Sequence, residues 1–279
     1  MPSVKYPYFD FILSELAKEN AAIKTSFGHH VHWGYWEQPK DAKGDDEDFF
    51  NAAQDLSRKL CDIANVTDNQ RILDVGCGFG GTTSLLNDCH AGMDLTGLNI
   101  DPRQLDVANK KIKCKGYNRI QFIAGDACQL PFDDNSFDRV LAVECIFHFP
   151  SRELFFKEAL RVLKPGGSIT LSDFVSSSLT ALNNKILALP LFEKLTIFGH
   201  FHFITLRKYR SIASQLGLKM QVHDITKNTL PTYPYLKTIA NRFDLGQFYN
   251  KQAIPGIWLM HFLSKYRLLT YPIITFSKT

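Results

Sequence analysis

The chain's most chemically loaded pattern is an acid followed by closely spaced glycines. Asp74 stands two residues before Gly76, and Gly76, Gly78, Gly80 and Gly81 fall within the six residues 76–81. Glycine lacks a Cβ, so such a loop lets bare backbone approach a ligand. The acid can anchor the loop or reach a cationic group. At the end of a strand this arrangement suits a nucleotide-like ligand at the carboxyl edge of a parallel sheet. Gly76, Gly78 and Gly81 satisfy G-x-G-x-x-G, the dinucleotide spacing. Gly76, Gly78 and Gly80 equally satisfy G-x-G-x-G. The glycines alone leave both open.

Further along lie other groups able to do chemistry. Asn99, in Gly97-Leu-Asn-Ile-Asp-Pro-Arg-Gln104, sits where a dinucleotide site expects an acid for the ribose hydroxyls. It can bond a ribose diol, and Gln104 can add a second bond. Asp126 and Ala127 form a loop rim able to meet an adenine edge, with a carboxylate for the exocyclic amine and an N–H for a ring nitrogen. Val143-Glu-Cys-Ile-Phe-His148 puts Glu144 and His148 beyond a strand, and His148 has the ordinary pKa range of a general base. Histidines 29, 30 and 32 have no carboxylate or cysteine close by in sequence, a poor match to a metal cage.

These groups need a scaffold, and the alternation of elements supplies one. From Arg71 the pattern predicts strands at Ile72–Val75, Leu95–Ile100, Ile120–Ala124, Phe137–Val143 and Ser168–Phe174, with helices between them. Asp101 and Pro102 mark one helix start and Ser151 another. Leu206–Leu216 reads as a helix, Leu218–Asp224 as strand six and Leu268–Phe276 as the last strand. The fold class expected is α/β, a Rossmann-like, doubly wound, mostly parallel seven-stranded sheet. Residues 175–205 break the rhythm and read as a helical, aromatic lid that follows Phe174 and contains Leu191, Phe192, Phe198, Phe201 and Phe203. The expected organisation is an N-terminal closing segment over 1–70, a binding core over 71–174, the lid over 175–205, and the remaining sheet with an added helical piece over 206–279.

The 279 residues fit one large α/β domain, and a 45% hydrophobic content allows a sizeable core. The net charge of +4 is dispersed, without a long basic run, so nucleic-acid binding is not indicated. No stretch approaches a membrane span. Six scattered cysteines suit a reducing cytoplasm.

Together the motifs resemble the small-molecule branch of class I S-adenosylmethionine-dependent methyltransferases. The matching segments are Leu73–Gly80, Gly97–Gln104, Gly125–Ala127, Leu130–Phe132, Ser136–Asp138 and Arg161–Gly167, with His29-His-Val-His-Trp-Gly-Tyr-Trp36 upstream. The branch includes natural-product sugar and polyketide O-methyltransferases and tocopherol- and sterol-type enzymes. The resemblance implies S-adenosyl-L-methionine as cofactor. Gly76, Gly78 and Gly80 would underlie its methionyl part, with Asp74 near the ammonium, Asn99 and Gln104 at the ribose, and Asp126 and Ala127 at the adenine. Glu144 and Trp33 would help to form the cofactor site, Tyr35 would lie near the sulfonium, and His148, assisted by Asp173, would serve as base. No metal is implied. The acceptor expected is a small or lipid-like, hydrophobic molecule methylated at a hydroxyl, with carbon methylation or NAD(P) chemistry as alternatives. A monomer or homodimer with peripheral membrane contact at most completes the expectation.

Overall fold

The computed structural model describes residues 7–177, 203–242 and 246–278. Its centre is a seven-stranded sheet in the order β3-β2-β1-β4-β5-β10-β8. These strands are β1 (Arg71–Val75), β2 (Asp94–Asn99), β3 (Arg119–Ala124), β4 (Phe137–Val143), β5 (Leu163–Ser172), β8 (Leu218–Asp224) and β10 (Pro272–Lys278). Only β10 runs antiparallel, between β5 and β8. A small second sheet joins β6 (Val175–Ser176), β7 (Ile204–Thr205) and β9 (Leu269–Thr270).

The strands form where the sequence places apolar residues on both faces. In β1, Ile72, Leu73 and Val75 are buried, as a sheet covered on both sides requires. β1 pairs with β2 on one side and β4 on the other, so the chain reverses its winding between β1 and β4. That switch point opens a crevice at the carboxyl ends of the strands, where Asp74 and the glycines lie.

Local chemistry sets the helix starts. Asp101 accepts the Arg103 N–H at 3.0 Å and opens α5 (Pro102–Lys111). Ser151 accepts the Leu154 N–H at 3.2 Å and opens α6 (Arg152–Val162). Asp45 accepts the Asp48 N–H at 2.8 Å ahead of α3 (Asp46–Ile63). The glycine loop leads directly into α4 (Gly81–Cys89).

Two differences from the sequence reading concern strand ends. β5 begins at Leu163, because Lys164-Pro-Gly-Gly167 runs extended beside a register shift between Phe137 and Arg139. The expected final strand divides at Tyr271 into β9 and β10, which belong to different sheets. Leu191, Phe192, Phe198 and Phe201 of the expected lid lie outside the described residues. Helices α1 (Pro7–Ala17) and α2 (Ala21–Phe27) precede the core. Helices α7 (Leu206–Gln215), α8 (Thr232–Arg242) and α9 (Gly246–Lys265) follow it.

Candidate active site

At the crevice a cavity of about 640 Å³ is lined by the glycine loop, the ends of β2 and β4, the segment 29–32 and residues of α1. Gly76 has φ +69°, and a Cβ there would stand 2.6 Å from the Cys145 Cβ. The turn therefore requires glycine both for its dihedral and for the close approach of the next strand end. Gly78, at φ +56°, has only Gln104 Oε1 within reach of an added Cβ, at 3.7 Å. Its backbone faces the cavity. Gly80, expected beneath the ligand, instead abuts Ile112 and Phe122, with 2.5 Å left for a Cβ against Ile112. Gly81 lies under His30, whose Nδ1 would be 2.4 Å from a Cβ there. The third glycine of the dinucleotide spacing is thus used for packing within the protein.

Asp74 is buried at the end of β1 and accepts the Thr83 hydroxyl at 2.9 Å. Burial pushes its pKa up to about 7, against the stabilising Thr83 bonds. Asn99 and Gln104 are also buried, and Asn99 Nδ2 donates to Gln104 Oε1 at 2.9 Å. Asp126 accepts the Cys128 N–H at 2.8 Å and lines the cavity together with Ala127.

Glu144 follows β4 with φ +50°, a left-handed backbone that is unusual for this residue type and is held by its surroundings. Its N–H donates to Ser172 Oγ at 3.0 Å, while its carboxylate accepts the Trp33 N–H at 2.9 Å and the Tyr271 hydroxyl. Burial lifts its pKa to about 8, and these two donors offset part of that rise. Two buried acids with no basic partner among the described residues suit a ligand carrying positive charge, since a cation restores the ionised forms.

His148 also lines the cavity, and its Nε2 lies 3.1 Å from the Tyr8 hydroxyl of α1. Burial, and secondarily the positive charge of Arg152, lower its pKa to about 3, so the ring is neutral. His30 and His32 form part of the wall. His32 Nδ1 donates to the Trp33 carbonyl at 2.9 Å, and its Nε2 meets His30 Nδ1 at 3.0 Å and Ser57 Oγ at 3.1 Å. Burial lowers the His32 pKa to about 4 and drives that of His30 down as well. Among the described residues no group of three or more His, Cys, Asp or Glu is arranged to hold a metal ion.

Besides Gly80, three other expected site residues lie away from this cavity. Tyr35 does not line the cavity. Its hydroxyl donates to Glu37 Oε2 at 2.5 Å, Lys59 stands 5.6 Å over its ring, and the ring packs in the core beside α3. Asp173 does not line it either. Fully buried, its carboxylate takes Arg152 Nη2 at 3.0 Å, the Tyr209 hydroxyl at 2.5 Å and the Phe174 N–H at 2.8 Å. An acid held by a buried guanidinium is a structural ion pair first. Trp33 lines a second cavity instead of the first. Sequence reasoning missed Tyr8 and Tyr271, which stand far from their partners along the chain and carry no local motif.

The second cavity, about 100 Å³, is walled by Phe11, Ile12, Phe27, Trp33, Phe147, Phe174, Leu236, Ile239 and other apolar groups. Among the described residues Glu144 is the one acid on its wall, and Tyr8, Val31, His32 and Glu144 border both cavities.

Residues 73–171 match the methyltransferase domain family. The chain is an S-adenosylmethionine-dependent methyltransferase. This methyltransferase is similar to Methyltransferase GfsG of Streptomyces halstedii, 29% identical over 222 residues that make up 77% of this chain and 75% of that protein. It is also similar to erythromycin 3''-O-methyltransferase of Saccharopolyspora erythraea, 31% identical over 152 residues, 54% of this chain and 48% of that protein. The chain thus spans about half the length of the second relative. Its fold is that of geranyl diphosphate C-methyltransferase from Streptomyces coelicolor, solved with Mg2+, geranyl diphosphate and S-adenosyl-L-homocysteine, with a TM-score of 0.69 and 17% identity over the whole of both chains. S-adenosyl-L-methionine is the cofactor, and the larger cavity with its two buried acids fits that cationic molecule.

Proposed function

We propose that the methyltransferase acts at a hydroxyl oxygen of a small hydrophobic or lipid-like metabolite, in the tailoring of natural products. The observation that carries this reading is the apolar chamber sharing a wall with the cofactor cavity. Bound S-adenosyl-L-methionine supplies an electrophilic methyl group on a sulfonium. Asp74 receives the cofactor's ammonium, the turn at Gly76 and Gly78 brings backbone beside the methionyl part, Asn99 and Gln104 meet the ribose, and Asp126 and Ala127 meet the adenine. The aromatic wall around Trp33, Phe147 and Phe174 excludes water and orients the acceptor, which supports in-line attack.

His148 is the base in this reading. Its neutral Nε2 lies 3.1 Å from the Tyr8 hydroxyl, the position an acceptor hydroxyl takes when it displaces that contact. With a pKa of about 3 it takes a proton only from an oxygen made strongly acidic by the arriving methyl. As the oxygen–methyl bond forms, the sulfur–methyl bond would break to leave the neutral thioether, and the proton of the now acidic oxygen would pass to Nε2. Asp173 acts on this region from behind, through Arg152. Residues 1–70 close the site, 71–174 hold the cofactor, and 175–205 and 206–279 complete the acceptor side. All six cysteines are free thiols, which favours a reducing cytoplasm.

One observation favours a second reading. Glu144 faces the apolar chamber with a pKa raised to about 8, so its carboxylate, once ionised, is a strengthened base. In carbon methylation of an isoprenoid- or sterol-like acceptor, that carboxylate removes the proton left after the carbon–carbon bond forms. A panel of hydroxylated and olefinic acceptors incubated with isotopically labelled donor, read by mass spectrometry and NMR, tests both. A methyl ether supports the first reading, a new carbon–methyl bond the second. A methylated amine as sole product would overturn them together.

A further inference from the structure

Seven large apolar side chains are exposed among the described residues, and three of them cluster: Trp258 at 56%, Phe262 at 53% and Tyr266 at 60%. They follow at four-residue intervals along α9 and its end, a spacing that lines them up on one helical face. Phe262 and Tyr266 have ring centroids 4.7 Å apart, and Lys237 Nζ of α8 stands 4.9 Å over the Trp258 ring. The opposite face is internal, where Ile257 lines the apolar chamber and Met260 and Leu263 are buried.

The charge pattern points the same way. From residue 245 to 279 the sequence has no Asp or Glu but has Lys251, Lys265, Arg267 and Lys278. Arg267 is paired with Asp224, whereas Lys265 is exposed beside the aromatic stripe. No helix among the described residues is long and apolar enough to cross a membrane. A surface contact is a different matter: it needs an aromatic face at the headgroup level and a basic border for the phosphates.

We propose that the outer face of α9 seats the protein on an anionic lipid surface, with Trp258, Phe262 and Tyr266 entering the interface and Lys237 and Lys265 facing the headgroups. A second copy of this chain fits the face less well. A symmetric contact brings the same lysines together, and the helix offers no acid to answer them. The seat would set the wall of the apolar chamber one helix away from the lipid, a direct route for an apolar acceptor. The surface contact itself does not depend on what that acceptor is.

The test is sedimentation of the full chain with vesicles of phosphatidylcholine alone and of phosphatidylcholine with about a third phosphatidylglycerol. Sedimentation with the anionic vesicles, weakened by salt, is expected, with a blue shift in tryptophan emission from Trp258. The double substitution Trp258→Ser and Phe262→Ser should lower the partition about tenfold or more, with the affinity for S-adenosylhomocysteine and the circular dichroism spectrum retained. Lys265→Glu, which leaves the aromatic face intact, should weaken binding to anionic vesicles only. Equal partition of wild type and the double variant would overturn the proposal, as would equal binding to neutral and anionic vesicles. A wild-type dimer that the double variant converts to monomer would assign the face to a second copy instead.

Discussion

Replacing Asp74 by asparagine removes one negative charge from the floor of the cofactor cavity while keeping the shape and an oxygen for the Thr83 hydroxyl. The wild-type carboxyl has a pKa of about 7 because it is buried without a cation. If the ligand's ammonium binds only the ionised form, the apparent dissociation constant scales as 1 + 10^(pKa − pH). That factor is about 11 at pH 6 and about 1.1 at pH 8, so the wild type should bind about tenfold more tightly at pH 8. Asp74→Asn should bind about 10- to 100-fold more weakly at pH 8, with a nearly flat profile. Titration calorimetry with S-adenosylhomocysteine, which has the amine but no sulfonium, isolates this contact. The stability of the free protein gives an independent check. The folded pKa lies above the unfolded value of about 3.9, so the native state holds the extra proton between about pH 4 and 7. The wild type therefore loses stability as pH rises through that window, and the asparagine variant should melt higher at pH 8. A wild-type affinity that changes less than about twofold between pH 6 and 8, or a variant that keeps the slope, would show that the Asp74 carboxylate does not hold the ammonium.

His148→Ala should lower turnover about 100-fold, with S-adenosylhomocysteine affinity within about threefold, and unchanged turnover in a stopped assay would remove His148 from the chemistry. Leu236→Trp, which fills the apolar chamber, should raise the acceptor KM about tenfold and leave cofactor affinity alone, as steady-state kinetics and calorimetry would show. Gly76→Ala forces a Cβ against Cys145 at a positive φ and should cost about 2 kcal/mol or more in urea unfolding; an unchanged midpoint would contradict the close approach. His32 is neutral in the folded state, with a pKa of about 4 against about 6.5 unfolded, so its contribution is present above pH 6.5 and lost as pH falls toward 4. Because Asp74 and Glu144 pull the other way in part of that range, the effect is read as a shallower loss of stability in His32→Asn than in wild type between about pH 6.5 and 4.5.

Much of the site is legible in the amino-acid order. The glycine turn, Asp74, Asn99, Gln104, Asp126 and Ala127 line up in order along the chain at the ends of β1, β2 and β3, and all face one cavity. A strand end and the loop after it carry their side chains to a place set by the sheet, so position in sequence translates into position at its edge. The same logic places Glu144 and His148 beyond β4. It fails for Tyr35 and Asp173, whose side chains are claimed by other partners: Glu37 and Lys59 hold one, Arg152 and Tyr209 the other.

The amino-acid order alone determined the alternating elements, their caps and the glycine turn, because these follow from backbone sterics, hydrogen bonding within a few residues and the period of the apolar pattern. Tertiary structure alone decided which aromatic hydroxyls meet the site. Tyr8 reaches His148 across 140 residues of chain and Tyr271 reaches Glu144 across 127. Helix packing and strand order set such meetings, and no local spacing encodes them. The separation of the apolar chamber from the cofactor cavity, and the exposure of the α9 stripe, arise in the same way, from which faces the packed elements leave uncovered.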